Sequence, residues 1–343
     1  MSIRQVARLA GVSATTVSLA LRNHPKIPAA TRRRIVKCAE RVGYRPNATL
    51  SELMAHMRLR RDRQREACLG VISLYPQLRP WAGARHLERI FDGMERRADA
   101  LGYRLEPLWL REPGMTPRRF SRILDARGVQ GLLCFGSPDL DEQLPRELDH
   151  FAIVTQGVSI RTSLHRVMSH AYNDMWRALR KVSELGYRRP GLIIGDYEGQ
   201  RSAHAYLCVY LGWCQLTLGT APPIPVLRLK HAEEEPLLGW FGQHKPDVII
   251  LAHHYNALGD FEALLRRNKI RVPRDVGVAA VTQVLEGTDF SGLQGNQRLV
   301  GEWAVELVVG RILHRDFGVP THPRIEMVEM EWIDGKTLKS ARD

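Results

Sequence analysis

Residues 3–21 read IRQVARLAGVSATTVSLAL, and no other run limits the fold so tightly. Ile3, Val6, Ala7 and Ala10 recur at helical spacing, which places them on one face. Gly11 supplies the left-handed residue that closes a helix. Ser13 is placed to cap a second helix over Ala14–Leu21. In that helix Val17, Ala20 and Leu21 face inward, and Ala14, Thr15, Ser18 and Leu19 outward. A third helix, from about Ala29 to Val42 and closed by Gly43, offers Ile35, Cys38, Ala39 and Val42 to the same core. Two short helices across a glycine turn, braced by a third, make a helix-turn-helix unit.

Charge singles out the same segment. Residues 1–66 hold fifteen Lys and Arg against four Asp and Glu, a balance of +11 within a net charge of +13. A concentrated positive field suits phosphate or an anionic membrane surface, and its plain alternative is a solvated basic face. The helical pattern favours DNA. A helix entering the major groove by its N-terminus brings Ser and Thr hydroxyls to phosphates and base edges, and Ala14 or Leu19 to thymine methyls.

The run IRQVARLAGVSATTVSLALRN, followed by TRRRIVKCAERVGYRPNATLSEL, resembles the DNA-binding head of the lactose repressor (LacI/GalR) family of bacterial transcription regulators. The resemblance implies base reading by Ala14 and Thr15. A third reader, often arginine in the family, aligns with Leu19, which removes a bidentate guanine contact. Thr16, Ser18 and Arg22 fall at backbone contacts. A hinge is implied from Asn47, with Leu53 as the leucine that wedges a central base step of the operator. The basic run Arg58–Arg65 either adds phosphate contacts or is a solvated tether.

Beyond the head, short apolar runs alternate with helical stretches. Leu69–Leu74, Tyr103–Leu110, Gly131–Phe135, Ala152–Gln156, Gly191–Ile194, Val226–Leu229, Val248–Ala252 and Val276–Val281 read as strands. Helices are expected near His86–Leu101, Pro117–Ala126, Ser202–Leu218, Glu233–Phe241 and Asn256–Arg267. Repeated βα units imply parallel sheets covered by helices, here in two similar lobes with a ligand cleft between them. The expected architecture is a small all-α helix-turn-helix head plus an α/β two-lobed core of parallel sheets. The family resemblance likens that core to type I periplasmic sugar-binding proteins. Residues 1–46 form the expected head, 47–67 the hinge helix and basic linker, and 68–343 the effector-binding and dimerisation core. Lobe one is expected over about 68–168 and 290–318, lobe two over about 169–289 and 319–343.

In RRPGLIIGDYEGQRSAHAYLCVYLG, the resemblance makes Arg201 the arginine that begins a helix and binds ligand oxygens through its fork, the alternative being a helix-start salt bridge. Where the family carries Gly-Phe-Asp-Asp the chain reads Ala280-Val281-Thr282-Gln283, so Thr282 replaces a ligand-binding aspartate. Ala252-His253-His254 stands in place of Ala-Asn-Asp, which makes His253 and His254 candidates as well. Tyr75 and Trp81 follow the first strand and form either an aromatic wall or simple packing. The expected effector is a small molecule, sugar-like by family habit. A ligand-independent regulator or architectural DNA binder with a degenerate pocket is the alternative.

Other classes lose support. No apolar run reaches 18 residues, and the start lacks a signal-peptide plan, so a cytoplasmic, nucleoid-associated bacterial protein without a membrane partner is expected. The five cysteines are scattered without a C-x-x-C pair, which argues against a metal or redox site, and no cofactor is expected. Adjacent His253 and His254 at a strand end point apart. No H-E-x-x-H, G-x-S-x-G or Walker loop occurs, so no enzyme is expected. A homodimer on a pseudo-palindromic operator is expected, and the absence of terminal leucine heptads argues against a tetramer.

Overall fold

The computed structural model describes residues 3–21, 27–43, 67–217, 222–229, 234–253, 258–282 and 289–339. The chain divides into two compact units, Met1–Arg63 and Gln64–Asp343. In the first, α1 (Ile3–Ala10), α2 (Ala14–Leu21) and α3 (Ala29–Arg41) enclose Val6, Ala7, Ala10, Val17, Ala20, Ile27, Ile35 and Ala39. Ile3, Leu21, Cys38 and Val42 pack at the rim of that core.

The second unit alternates strands and helices. β1 (Ala67–Ser73), α4 (Arg85–Leu101), β2 (Tyr103–Trp109), α5 (Pro117–Ala126), β3 (Val129–Cys134), β4 (Ala152–Gln156) and β5 (His165–Ser169) begin the first lobe. The second lobe holds α6 (Ala171–Glu184), β6 (Pro190–Gly195), α7 (Asp196–Arg201), α8 (Ala205–Thr217) and β7 (Leu227–Leu229). It continues with α9 (Glu234–His244), β8 (Val248–Ala252), α10 (Leu258–Arg267), β9 (Gly277–Ala280) and β10 (Ser291–Gln294). Next, α11 (Gln297–His314) and β11 (Ile325–Val328) return to lobe one, and β12 (Glu331–Ile333) lies in lobe two. The sheet orders are β11-β5-β4-β3-β1-β2 and β12-β10-β9-β8-β6-β7. Described pairings are parallel except β10 with β12.

Both sheets are covered on two faces, so inner strands such as β6 and β8 are buried end to end and read as continuous apolar runs. The same sandwiching hides α11 from a periodicity argument. Val300, Ala304, Val305, Leu307, Val308 and Val309 are all buried, because α4 lies on one side and β3 and β4 on the other. The approach to α4 needs glycine: a Cβ on Gly93 would lie 2.0 Å from the Arg298 carbonyl oxygen, and one on Gly301 2.0 Å from that of Ile90.

Two expectations change. Strand pairing moves the late lobe boundaries, because Ser291–Gln294 joins the second sheet and Ile325–Val328 the first. Both strands are only four residues long, too short for a clear pattern. The helix expected over Ser202–Leu218 begins only at Ala205. Ala203 and His204 adopt left-handed φ values of 49° and 61°, so Arg201 ends α7 instead of beginning a long helix. The lobes are thus joined by three chain crossings, between β5 and α6, β10 and α11, and β11 and β12.

Candidate functional site

In the head, the Val12 amide donates to the Ala7 carbonyl at 3.0 Å and the Gly11 amide to that of Arg8 at 3.2 Å. With Gly11 at φ +61°, this is the paired closure that a left-handed C-terminal residue allows. Ser13 Oγ accepts from the Thr16 amide at 3.1 Å and lies 2.8 Å from Thr16 Oγ1. It therefore caps α2, as its position predicts. Of the outward-facing residues, Thr15 is exposed, while Ala14, Thr16, Ser18 and Leu19 are half-buried. Ala14 and Leu19 also pack against the head core, so each is partly committed to holding α2 in place. Arg22, Asn47 and Leu53 lie outside the described residues.

In the core, all three crossings contribute to one cavity between the lobes. Ser169 and Ala171 come from the first crossing, Gln297 from the second and Met330 from the third. The cavity measures about 140 Å³. That is near the size known to admit a single six-membered ring. Gln156 enters from the carboxyl end of β4, and Tyr197, Glu198 and Arg201 from α7. This placement follows the rule that α/β ligands bind beyond strand carboxyl ends.

Arg201 is held from several sides. Its Nη1 donates to the Ser137 carbonyl across the cleft at 3.0 Å, and its guanidinium lies 5.1 Å from the Tyr197 ring centroid. The Tyr75 hydroxyl hydrogen-bonds Arg201; burial raises that hydroxyl's pKa and Arg201 pulls it back. Ser137 is itself fixed. Its amide donates to Ser159 Oγ at 2.8 Å and its hydroxyl to Glu142 Oε2 at 2.9 Å. Buried behind the cavity, Asp174 accepts from the Met330 amide at 3.0 Å and lies 3.8 Å from Arg177. Burial pushes its carboxyl up to about 6, against partial compensation from those two partners. Burial also raises the pKa of Tyr206, a cavity residue, and the charges of Asp174 and Glu198 add to that rise.

The sequence candidates fare differently. Arg201 and Thr282 line the cavity, and the Thr282 hydroxyl donates to the His253 carbonyl at 3.0 Å. Tyr75 reaches the site only through Arg201. Trp81 is buried in lobe one, stacked on Phe91 at 4.2 Å and beside Phe135 at 5.1 Å, so it is packing and not a cavity wall. His253 contributes its carbonyl to Thr282 and is not among the lining residues. His254 lies outside the described residues. Sequence reasoning missed Gln156, Glu198, Tyr206 and Gln297. The strand-end rule could have found Gln156; Gln297 had no local signature, because α11 itself was not expected.

Among the described residues no cluster of three metal-binding side chains occurs, and no helix is long and apolar enough to cross a membrane.

The family model described as "Bacterial regulatory proteins, lacI family" matches residues 2–47, which include all three helices of the head. The head of the chain is thus similar to the DNA-binding domain of that family. The "HTH-type transcriptional repressor PurR" of Haemophilus influenzae is 22% identical over 363 residues, 99% of each chain. Two solved structures share the fold of this chain. A lac repressor dimer bound to operator and the anti-inducer ONPF covers 98% of both chains at 16% identity, with a TM-score of 0.60. A complex of the transcriptional regulator CelR with cellobiose covers 98% of this chain and 99% of its own at 21% identity, with a TM-score of 0.59.

Proposed function

We propose that this protein is a DNA-binding transcriptional repressor whose operator affinity is set by a small molecule held between the lobes of its core. The observation that carries the reading is the Ser13-capped α2, which exposes Thr15 on a strongly basic head. On the same chain is a cavity built from three interlobe crossings. PurR is named a repressor, and the lac repressor dimer is described on its operator, which supports repression by a homodimer on a pseudo-palindrome.

In this reading Thr15 reads a base edge, and Ala14 and Leu19 contact thymine methyls. Thr16, Ser18 and Arg22 hold phosphates and set the register of α2. Asn47 and Leu53 belong to a hinge in the minor groove, where Leu53 opens a base step. Ligand bound by Arg201 and Thr282 changes the population of core conformations and through them the operator affinity. Such coupling is commonly about 1–3 kcal/mol and acts equally in both directions. The protein works in the cytoplasm and has no catalytic role.

Selection of bound duplexes from a random pool, at physiological salt, tests the reading. The expected product is a pseudo-palindrome with a fixed centre. Salt-sensitive binding without an enriched sequence, both alone and with added cell metabolites, contradicts it.

A further inference from the structure

Resting on the reading of the cavity as an effector site, we propose that it selects an oxyanion, a carboxylate or phosphate on a small polyhydroxylated skeleton, seated on the Arg201 guanidinium. Every described partner of Arg201 is neutral: the Ser137 carbonyl, the Tyr75 hydroxyl and the Tyr197 ring. Among the described residues no carboxylate pairs with it. A guanidinium has more N–H donors than two oxygens use, and its fork matches a carboxylate or phosphate edge. A charge drawn partly out of water without a counter-ion is costly. The counter-ion missing from the protein is the one the ligand brings.

The N-terminal end of one lining helix favours an anion as well. Three long helices, α4, α6 and α11, send first-turn residues (His86, Ala171 and Gln297) into the lining. Of the three, α11 has neither a side-chain cap nor an acidic residue in its first turn, so its N-terminal amides keep their partial positive charge, whereas Glu88 and Asp174 offset those of α4 and α6. The one described carboxylate in the lining, Glu198, is folded over the Gly195 backbone, where a Cβ would meet its Oε2 at 1.9 Å. Thr282 is neutral, and its hydroxyl is donated to His253.

The rest of the ligand is specified by acceptors. Gln156 Oε1 and Gln297 Oε1 are buried and have no partner. Both residues line the cavity. Buried acceptors left without donors are costly, so these two carboxamides call for hydroxyl or amine protons on the ligand. A cavity of about 140 Å³ limits the skeleton to a single ring or a short chain.

The test follows the thermal transition of the core in the full chain. Sodium phosphate, sodium gluconate, glucose 6-phosphate and glucose are titrated separately against sodium chloride at matched ionic strength. Inorganic phosphate is expected to raise the transition in a saturable way. Gluconate, glucose 6-phosphate or both are expected to act at concentrations about ten-fold below those glucose needs. Which of them does so tells carboxylate from phosphate. Arg201→Gln is expected to remove the preference for anions over glucose. Tyr75→Phe, which keeps the ring and the Arg201 charge, is expected to weaken anion binding several-fold while the unliganded transition stays in place. The proposal is overturned if no anion moves the core transition beyond chloride. It is equally overturned if glucose matches the anions, or if Arg201→Gln responds as the parent does. Duplex selection on the same preparation separates the two readings, since a chain that selects a sequence but ignores anions loses only this inference.

Discussion

The head and the cleft hold their functional groups in opposite ways. In the head the decisive contacts are local: Ser13 caps the amide three residues on, and Gly11 closes the helix that precedes it. In the cleft Gln156, Arg201, Gln297 and Met330 come from separate elements and meet only because the chain crosses between the lobes three times. A local site depends on a small core beneath it. An assembled site depends on the crossings, and it can carry uncompensated groups because a large fold holds them.

Substitutions should separate the two regions. The largest effect is expected from Ile35→Ala. Ile35 is fully buried in the head, and truncation costs about 2–5 kcal/mol there. A core of about 45 residues has little more than that to lose. DNA binding measured by anisotropy should therefore disappear, while the calorimetric transition of the core stays where it was. A core transition that falls with it would break the distinction between the regions.

The corresponding substitution in the core is Asp174→Asn. The native carboxyl is raised to about 6 from an ordinary 3.8, so the folded state holds the proton more tightly than the unfolded chain. Ionisation thus removes stability as pH rises from about 4 to about 6, and the full penalty remains above that. The shift corresponds to at most about 3 kcal/mol. Asparagine keeps an oxygen for the Met330 amide and carries no charge. The variant should gain about 1–3 kcal/mol in denaturant titrations at pH 8 and almost nothing at pH 4. An equal gain at both pH values contradicts the assignment. A smaller effect, about 1 kcal/mol, is expected from Ser13→Ala, which removes the α2 cap. It should appear as a several-fold loss of DNA affinity with unchanged ligand response.

Legibility in the sequence followed the same division. The three head helices and the Ser13 cap were readable, because spacing and capping residues act within a few positions. Most first-half strands were readable as well, since buried parallel strands are short apolar runs. The second crossing was not. Gln297 begins a helix packed against both α4 and the sheet, so apolar residues fill most of its circumference and only Arg298, Glu302 and Glu306 mark a narrow polar stripe. Arg201 lines the cavity but ends a helix instead of beginning one, because the left-handed pair Ala203 and His204 has no glycine to announce it. Trp81, left open between a ligand wall and packing, is packing. An aromatic in a loop after a strand looks like a ligand wall, and only its stack on Phe91 reveals it as core.

The most direct test of the account is to repeat the duplex selection with Thr15→Gln. Thr15 is the exposed residue of the first turn of α2 and has no partner in the head core. If α2 reads the operator in a two-fold dimer, the selected consensus should change at one corresponding base pair in each half-site and nowhere else. A consensus identical to that of the parent would contradict the account.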